Sequence, residues 1–224
     1  MKIIDQSYEI LSKYAFEDQL GLIELAGRTA YKSEDKITET SSKEFAKMIR
    51  GKGHEAVLEH SFLSVKFITD RGVSHEIVRH RLAAFTQEST RYCNYSKAKF
   101  NNGVTFIRPV WFSAEDIARI IDPTGDLRAE DFNCLDWVNA METAEEDYLK
   151  LLKNGQTPQQ ARAVLPNSLK TEIVVSTNFR EWRHIFKLRA ISKAAHPQMR
   201  DLMIPLYTYC RERLPEIFDM GEVE

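Results

Sequence analysis

The sequence predicts an α+β fold, and two observations carry that expectation. Two stretches far apart in the chain, Ser61–Thr69 and Thr171–Ser176, read as strands. Most of the rest places apolar residues at helical spacing between capping and stop signals. No linker, repeat or low-complexity stretch divides the chain, so residues 1–224 read as one domain. A chain of 224 residues can bury roughly 70% of its unfolded surface and needs no disulfide framework or structural metal. With 10% aromatic residues it is not a disordered tail.

Taken in order, Phe16–Tyr31 sets Leu20, Ile23, Leu25, Ala26 and Ala30 at mostly helical spacing. Ser41-Ser42-Lys43-Glu44 reads as a capping-box start for a helix through Ile49, which Gly51 and Gly53 end. Gly72 breaks the strand at 61–69. From Val73 to Arg81, Glu76, Arg79 and His80 recur three to four apart at most, predicting a short helix that presents several charges in one direction. Leu82–Asn94 lacks clean periodicity and reads as irregular. A turn is expected at Asp122–Asp126, then a helix over Asp131–Lys153 that offers Leu135, Val138, Met141, Leu149 and Leu152 to a core and stops at Asn154-Gly155. Thr157-Pro158-Gln159-Gln160 opens a short helix that Pro166 terminates. Asn178 caps a further helix, with Trp182, Ile185, Phe186 and Leu188 toward a core and Arg180, His184 and Lys187 along one stripe. A last helix, Pro197–Leu214, carries Met199, Leu202, Met203 and Leu206, with Pro205 as a kink or a break.

The total charge of −2 hides an uneven distribution: residues 71–100 carry +4 and residues 156–200 carry +6, leaving −12 for the remainder. Brought together, the two windows would form an anion-binding zone on an otherwise acidic surface, which suits a phosphorylated small molecule better than long nucleic acid. No run approaches the roughly 20 apolar residues of a membrane span, and the N-terminus has no signal-peptide pattern. A cytoplasmic protein with no membrane partner is expected. Cys93, Cys134 and Cys210 are widely spaced, form no C-x-x-C pair, and read as free thiols.

His54-Glu55 and His75-Glu76 invite a test for zinc. It fails on spacing, because the next histidines, His60 and His80, fall six and five residues on rather than the four that one helical face requires. No metal is expected. Neither G-x-G-x-x-G nor a P-loop is present, and Gly51-Lys52-Gly53 reads as a helix end. Any nucleotide must be held by side chains and helix ends.

The strongest set for that task is Arg79-His80-Arg81, with Ser89 and Arg91 downstream. Arginine matches phosphate oxygens bidentately, and histidine can donate or accept a proton near neutral pH. On a helix the two arginines would diverge by about 200°, serving two ligands, or one ligand and a neighbouring subunit. A solvated charged face is the plainer alternative.

Arg79-His80-Arg81 followed by seven residues and Ser89 resembles the RHR-x7-S signature of the flavin-dependent thymidylate synthases. Gly53-His54-Glu55 with Glu59-His60 resembles the family's GHE-x3-EH segment, Ser89-Thr90-Arg91-Tyr92 its STRY-like continuation, and Ala161–Pro166 its AR-x-x-LP segment. Asn178 and Arg189 fit as well. The resemblance spans about Ala26 to Gln198, interrupted by a variable stretch near 112–156. It implies an α+β subunit with an antiparallel sheet flanked by helices, assembled as a homotetramer with active sites between subunits. The implied reaction converts dUMP to dTMP with methylenetetrahydrofolate as carbon donor, NADPH as reductant and FAD as cofactor, without a cysteine nucleophile. The flavin supplies the hydride and one-carbon chemistry, and the protein supplies position and charge.

Carried over residue by residue, the resemblance makes Arg79, His80 and Arg81 flavin contacts, Arg79 also approaching the nucleotide. Ala56, Gln87, Asn178, Arg180 and His184 are further cofactor positions. Glu76, Gln87, Glu88, Ser89, Thr90 and Arg91 resemble the dUMP-binding segments, with Arg91 and Arg162 as phosphate partners. Arg189 matches the arginine facing the uracil, where a fixed positive charge favours ionisation of the ring. His54 lies on the folate side. Cys93 reads as a structural neighbour, and His60, Trp182 and Phe186 as core or scaffold.

The chain departs from many members at Ala30 (Ser there), Glu76 (Gln), Gln87 (Glu) and His184 (Asn), with the exchange at 76 and 87 conserving one carboxylate and one amide. Two other readings use the same residues: a nucleotide- or RNA-binding protein without catalysis, and a flavoprotein reductase that oxidises NADPH but moves no carbon.

Overall fold

The computed structural model describes residues 1–12, 16–122 and 127–223; of the turn expected at 122–126, only Asp122 is among them. Among these residues six strands form, β1 (Lys2–Ile4), β2 (Ser7–Ile10), β3 (Phe62–Asp70), β4 (Ala83–Gln87), β5 (Thr105–Ile107) and β6 (Lys170–Asn178). β1 and β5 pair in parallel, Ile3 opposite Phe106. The other four make a sheet in the order β2-β3-β6-β4. Its register is antiparallel. Leu11 N–H donates to Ser64 O while Thr69 bonds Gln6, Phe179 N–H donates to Ser61 O while Arg71 N–H donates to Asn167 O, and Glu88 N–H donates to Glu172 O while the Thr177 hydroxyl reaches Leu82 O. β3 and β6 alternate buried with half-buried residues, as period-2 side chains require: Leu63, Val65 and Phe67 on one, Ile173 and Val175 on the other.

The helices are α1 (Phe16–Thr29), α2 (Ser41–Gly51), α3 (Arg71–Ile77), α4 (Ala114–Ile121), α5 (Phe132–Lys153), α6 (Pro158–Ala161), α7 (Phe179–Phe186), α8 (Pro197–Arg213) and α9 (Pro215–Phe218). Cα packing divides the described chain into two compact units. The first holds Met1–Ser7, Ile68–Ile77 and Gln87–Ile173; the second holds Tyr8–Phe67, Val78–Thr86 and Val174–Glu224. The first unit has its core around Tyr95, Val104, Phe106, Met141 and Tyr148, with a satellite of Ile117, Cys134 and Val138. In the second, Trp182 stacks on Phe186 at 5.4 Å, and Phe186 meets Tyr207 and Phe218. Burying such rings contributes about 1.5–3 kcal/mol each, and Trp182 also donates to Leu63 O at 2.9 Å.

Several expectations are corrected. Ala83–Gln87 is a strand, not irregular chain; its pairing with β6 supplies the order that its weak periodicity does not show. The strand does end beside Gly72, at Asp70, but Gly72 itself sits in α3, which starts at Arg71 because the Asp70 carboxylate accepts from Val73 N–H at 2.6 Å. α3 ends at Ile77, so Arg79-His80-Arg81 lies in the turn beyond it and the helical divergence of the two arginines does not apply. The α2 cap is Thr40 without a side-chain bond, since the Ser41 hydroxyl accepts from Thr38 N–H and donates to Glu24. Leu188, expected toward the core, is 42% exposed; α7 gives way to a π-helical segment at Lys187–Ile191, whose wider turn breaks the α-helical spacing on which that expectation rests. His60 is exposed rather than core. Pro205 is accommodated within α8 without splitting it. The short strands β1, β2 and β5 carry too few residues to register as a pattern.

Candidate active site

In the second unit a cavity of about 520 Å³ is lined by Glu55, Glu59, Leu82, Asn178, Arg180, Glu181, Arg183, His184, Lys187 and Met220. Asn178 caps α7: its side-chain oxygen accepts from Glu181 N–H at 2.9 Å, which leaves its NH2 group as what it can offer a ligand. Arg180 pairs with Glu59, and Arg183 with Glu55 at 2.9 Å. His184 packs edge-on to His80, ring centroids 5.8 Å apart, and its ring nitrogens make no hydrogen bond among the described residues. Arg189, on the π-helical segment, donates from Nε to His80 Nε2 at 3.2 Å. His80 is 5% exposed. Burial first, then the Arg189 and His184 charges, push its pKa down to about 4, so the ring is neutral at pH 7. Burial raises the Glu181 carboxyl, against the pull of His184 and Arg180.

The first unit has a cavity of about 510 Å³ lined by Arg71, His75, Thr90, Gln159, Arg162, Ala163, Leu165, Pro166, Asn167 and Leu169. Two arginines and a histidine face it, and no carboxylate is among its described lining residues. Arg162 Nη1 donates to the buried Thr90 hydroxyl at 3.0 Å, which aims the guanidinium. Nearby in the chain, Gln87 donates both amide protons, to Ser74 Oγ at 2.8 Å and Thr171 Oγ1 at 3.1 Å, so its oxygen is the end left to present. The Glu88 carboxylate takes Lys170 Nζ and the Tyr95 hydroxyl, each at 2.9 Å. Burial opposes the Lys170 charge, yet its bonds to Glu172 and Glu88 raise its pKa overall. Ser89 shapes the following turn, its carbonyl accepting from the Tyr92 and Cys93 N–H groups. Arg91 is exposed over the Tyr92 ring.

The expected site residues thus separate. His54, Ala56, Arg79, His80, Arg81, Asn178, Arg180, His184 and Arg189 belong to the second unit, and Glu76, Gln87, Glu88, Ser89, Thr90, Arg91 and Arg162 to the first. His54, Ala56, Arg79 and Arg81 are exposed outside the described cavity lining. Sequence reasoning missed Arg71 and His75, whose i, i+4 spacing on α3 was the available signal, and Glu181, a buried glutamate inside a basic stretch.

These features invite comparison with known proteins. A profile of the family described as "Thymidylate synthase complementing protein" matches residues 11–216. The chain belongs to that family. Among its relatives, a "Flavin-dependent thymidylate synthase" of Corynebacterium aurimucosum is 36% identical over 88% of this chain and 78% of its own length. One of the same description from Mycobacterium tuberculosis is 31% identical over 90% and 79%. A solved structure, described as the UMP/dUMP methylase PolB of Streptomyces cacaoi bound with 5-Br dUMP, superposes with a TM-score of 0.74 at 21% identity, covering 98% of this chain and 96% of that one. That likeness speaks for the α+β fold. Family membership makes this chain an enzyme of the methyl-transferring, flavin-dependent kind. No described helix is long and apolar enough to cross a membrane.

Proposed function

We propose that the protein converts dUMP to dTMP, with FAD as cofactor and NADPH and methylenetetrahydrofolate as co-substrates, and that residues 1–224 work as one domain in a cytoplasmic homotetramer. The observation that carries this reading is the pair of cavities, one without carboxylates among its described lining residues and one charge-balanced, each lined by residues of the family signature segments. The second-unit cavity fits a flavin: Asn178, Arg180 and His184 offer donors to a polar ring edge or a phosphate, and Leu82 and Met220 offer apolar surface. Bound there, the flavin would supply hydride transfer and one-carbon chemistry.

The chain's own residues do the rest. Arg162 and Arg91, joined by Arg71, hold the dUMP phosphate as charge-assisted partners. Ser89, Thr90 and Glu88 shape the nucleotide turn, Glu88 being braced by Lys170. Gln87 presents its oxygen, and Glu76 contacts the nucleotide from α3. Arg79 and Arg81 flank the flavin and His54 the folate side, with Ala56 against the cofactor. Arg189 faces the uracil and stabilises negative charge as it develops on the ring. No thiol is needed. Burial raises the pKa of Cys93 and Cys134 and pushes Cys210 up to about 12, so none is primed as a thiolate.

Purified protein loaded with FAD tests the reading. NADPH oxidation that responds to dUMP and to the folate is expected. Oxidation indifferent to both would favour a simple reductase, and nucleotide binding by a protein that retains no flavin would favour a non-catalytic binder.

A further inference from the structure

His80 reveals its own tautomer. The Arg189 guanidinium can only donate, so its 3.2 Å contact makes His80 Nε2 the acceptor and leaves the ring proton on Nδ1. Nδ1 in turn lies 3.5 Å from Glu181 Oε1, an electrostatic contact rather than a formed hydrogen bond, in surroundings where His80 is 5% and Glu181 7% exposed. Glu181 is itself held, because its N–H is capped by Asn178 and it lies in the first turn of α7.

We propose that Glu181 is a positioning residue: its carboxylate keeps the proton on His80 Nδ1, and so keeps Nε2 available to hold the Arg189 guanidinium in place. Without that carboxylate the imidazole is free to carry its proton on Nε2, where it would oppose the Arg189 Nε–H, donor against donor, and Arg189 would lose this acceptor. The low pKa of His80 agrees, since the relay requires a neutral ring. The ligand-type atoms of His80, Glu181 and His184 lie within 4.8 Å of one another. A cation bound through Nδ1 would force the same Nε2–H form, so the relay and such an ion exclude each other. The catalytic consequence rests on the role proposed above for Arg189; the tautomer does not.

The test combines spectroscopy with kinetics. In the ligand-free full chain labelled with ¹⁵N-histidine at pH 7, and with His80 signals assigned through His80→Gln, the proton is expected on Nδ1. Glu181→Gln keeps an acceptor carbonyl and should retain that tautomer, whereas Glu181→Leu should shift it to Nε2. Glu181→Leu is expected to lower kcat about 10–100-fold with little change in dUMP KM, as displacement of a reacting group does. Glu181→Gln should recover most of the loss, and in an Arg189→Ala background Glu181→Leu should add nothing. An Nε2–H ring in the wild type, or an undiminished effect of Glu181→Leu when Arg189 is absent, overturns the relay. An Nδ1–H ring with Arg189→Ala fully active would uphold the relay and overturn the function given to Arg189.

Discussion

The two cavities hold similar cations but treat them differently. In the first unit Arg71, Arg162 and His75 line a space without carboxylates among its described residues, and Arg162 is aimed by a hydroxyl that leaves its charge intact. In the second, Arg180 and Arg183 are paired with Glu59 and Glu55, and the buried histidine is neutral. Unneutralised arginines suit a dianionic phosphate, whereas a balanced, donor-rich wall suits a ring that must be oriented more than gripped. The contrast is one of charge compensation, not of charge count.

The largest effect should come from Arg189, the residue proposed to face the uracil. Arg189→Ala is expected to lower kcat about 10²–10³-fold, the loss typical of one preorganised charge donor, while flavin absorbance of the purified protein persists. Next, Arg162→Ala should weaken dUMP binding about 10–100-fold, the range of one charge-assisted phosphate contact. Calorimetry in rising salt should show a steeper loss for wild type than for the variant. Deoxyuridine, without the phosphate, should discriminate little between the two. Equal sensitivity of dUMP and deoxyuridine would erase the contrast between the cavities.

Arg180→Ala should cost flavin affinity only a few-fold, about 1 kcal/mol or less, because the side chain is exposed and already paired with Glu59. A loss as large as that for Arg162 with dUMP would show that the second cavity also grips by charge. Acid should separate the units most gently. A neutral histidine whose folded pKa is about 4, against 6.5 unfolded, contributes stability that is complete above pH 6.5 and is lost as the pH falls toward 4. In the first unit Asp131, held at about 2 by Arg119 and Arg128, contributes above 3.8 and is lost toward pH 2. Hydrogen exchange should therefore show protection fading first around His80, and His80→Gln should remove that early phase.

What could be read in the sequence follows from how local the causes are. Capping by Asn178 and Thr157, the apolar stripes of α5 and α8 and the alternation of β3 depend on neighbours in the chain, and each appears where the pattern places it. β4 depends on β6, more than eighty residues away, and could not be seen. The same holds for the site. Arg162, Thr90, Asn178 and His184 stand in recognisable segments, but the aim of Arg162 by Thr90, the locking of Gln87 by Ser74 and Thr171, and the contact of Arg189 with His80 join residues distant in sequence. The i, i+4 spacing of Arg71 and His75 is legible but gains meaning only from the cavity the pair lines, and Glu181 shows no motif of its own. The π-helical segment that carries Arg189 likewise has no sequence signal.

The most direct measurement is dTMP formation by purified, FAD-loaded protein given dUMP, methylenetetrahydrofolate and NADPH, repeated with Cys93→Ser. The account predicts dTMP only when all three are supplied, with the serine variant retaining turnover because no thiol attacks the nucleotide. Folded, flavin-loaded protein that yields no dTMP, or a Cys93→Ser variant that binds dUMP and flavin normally yet is inactive, would contradict it.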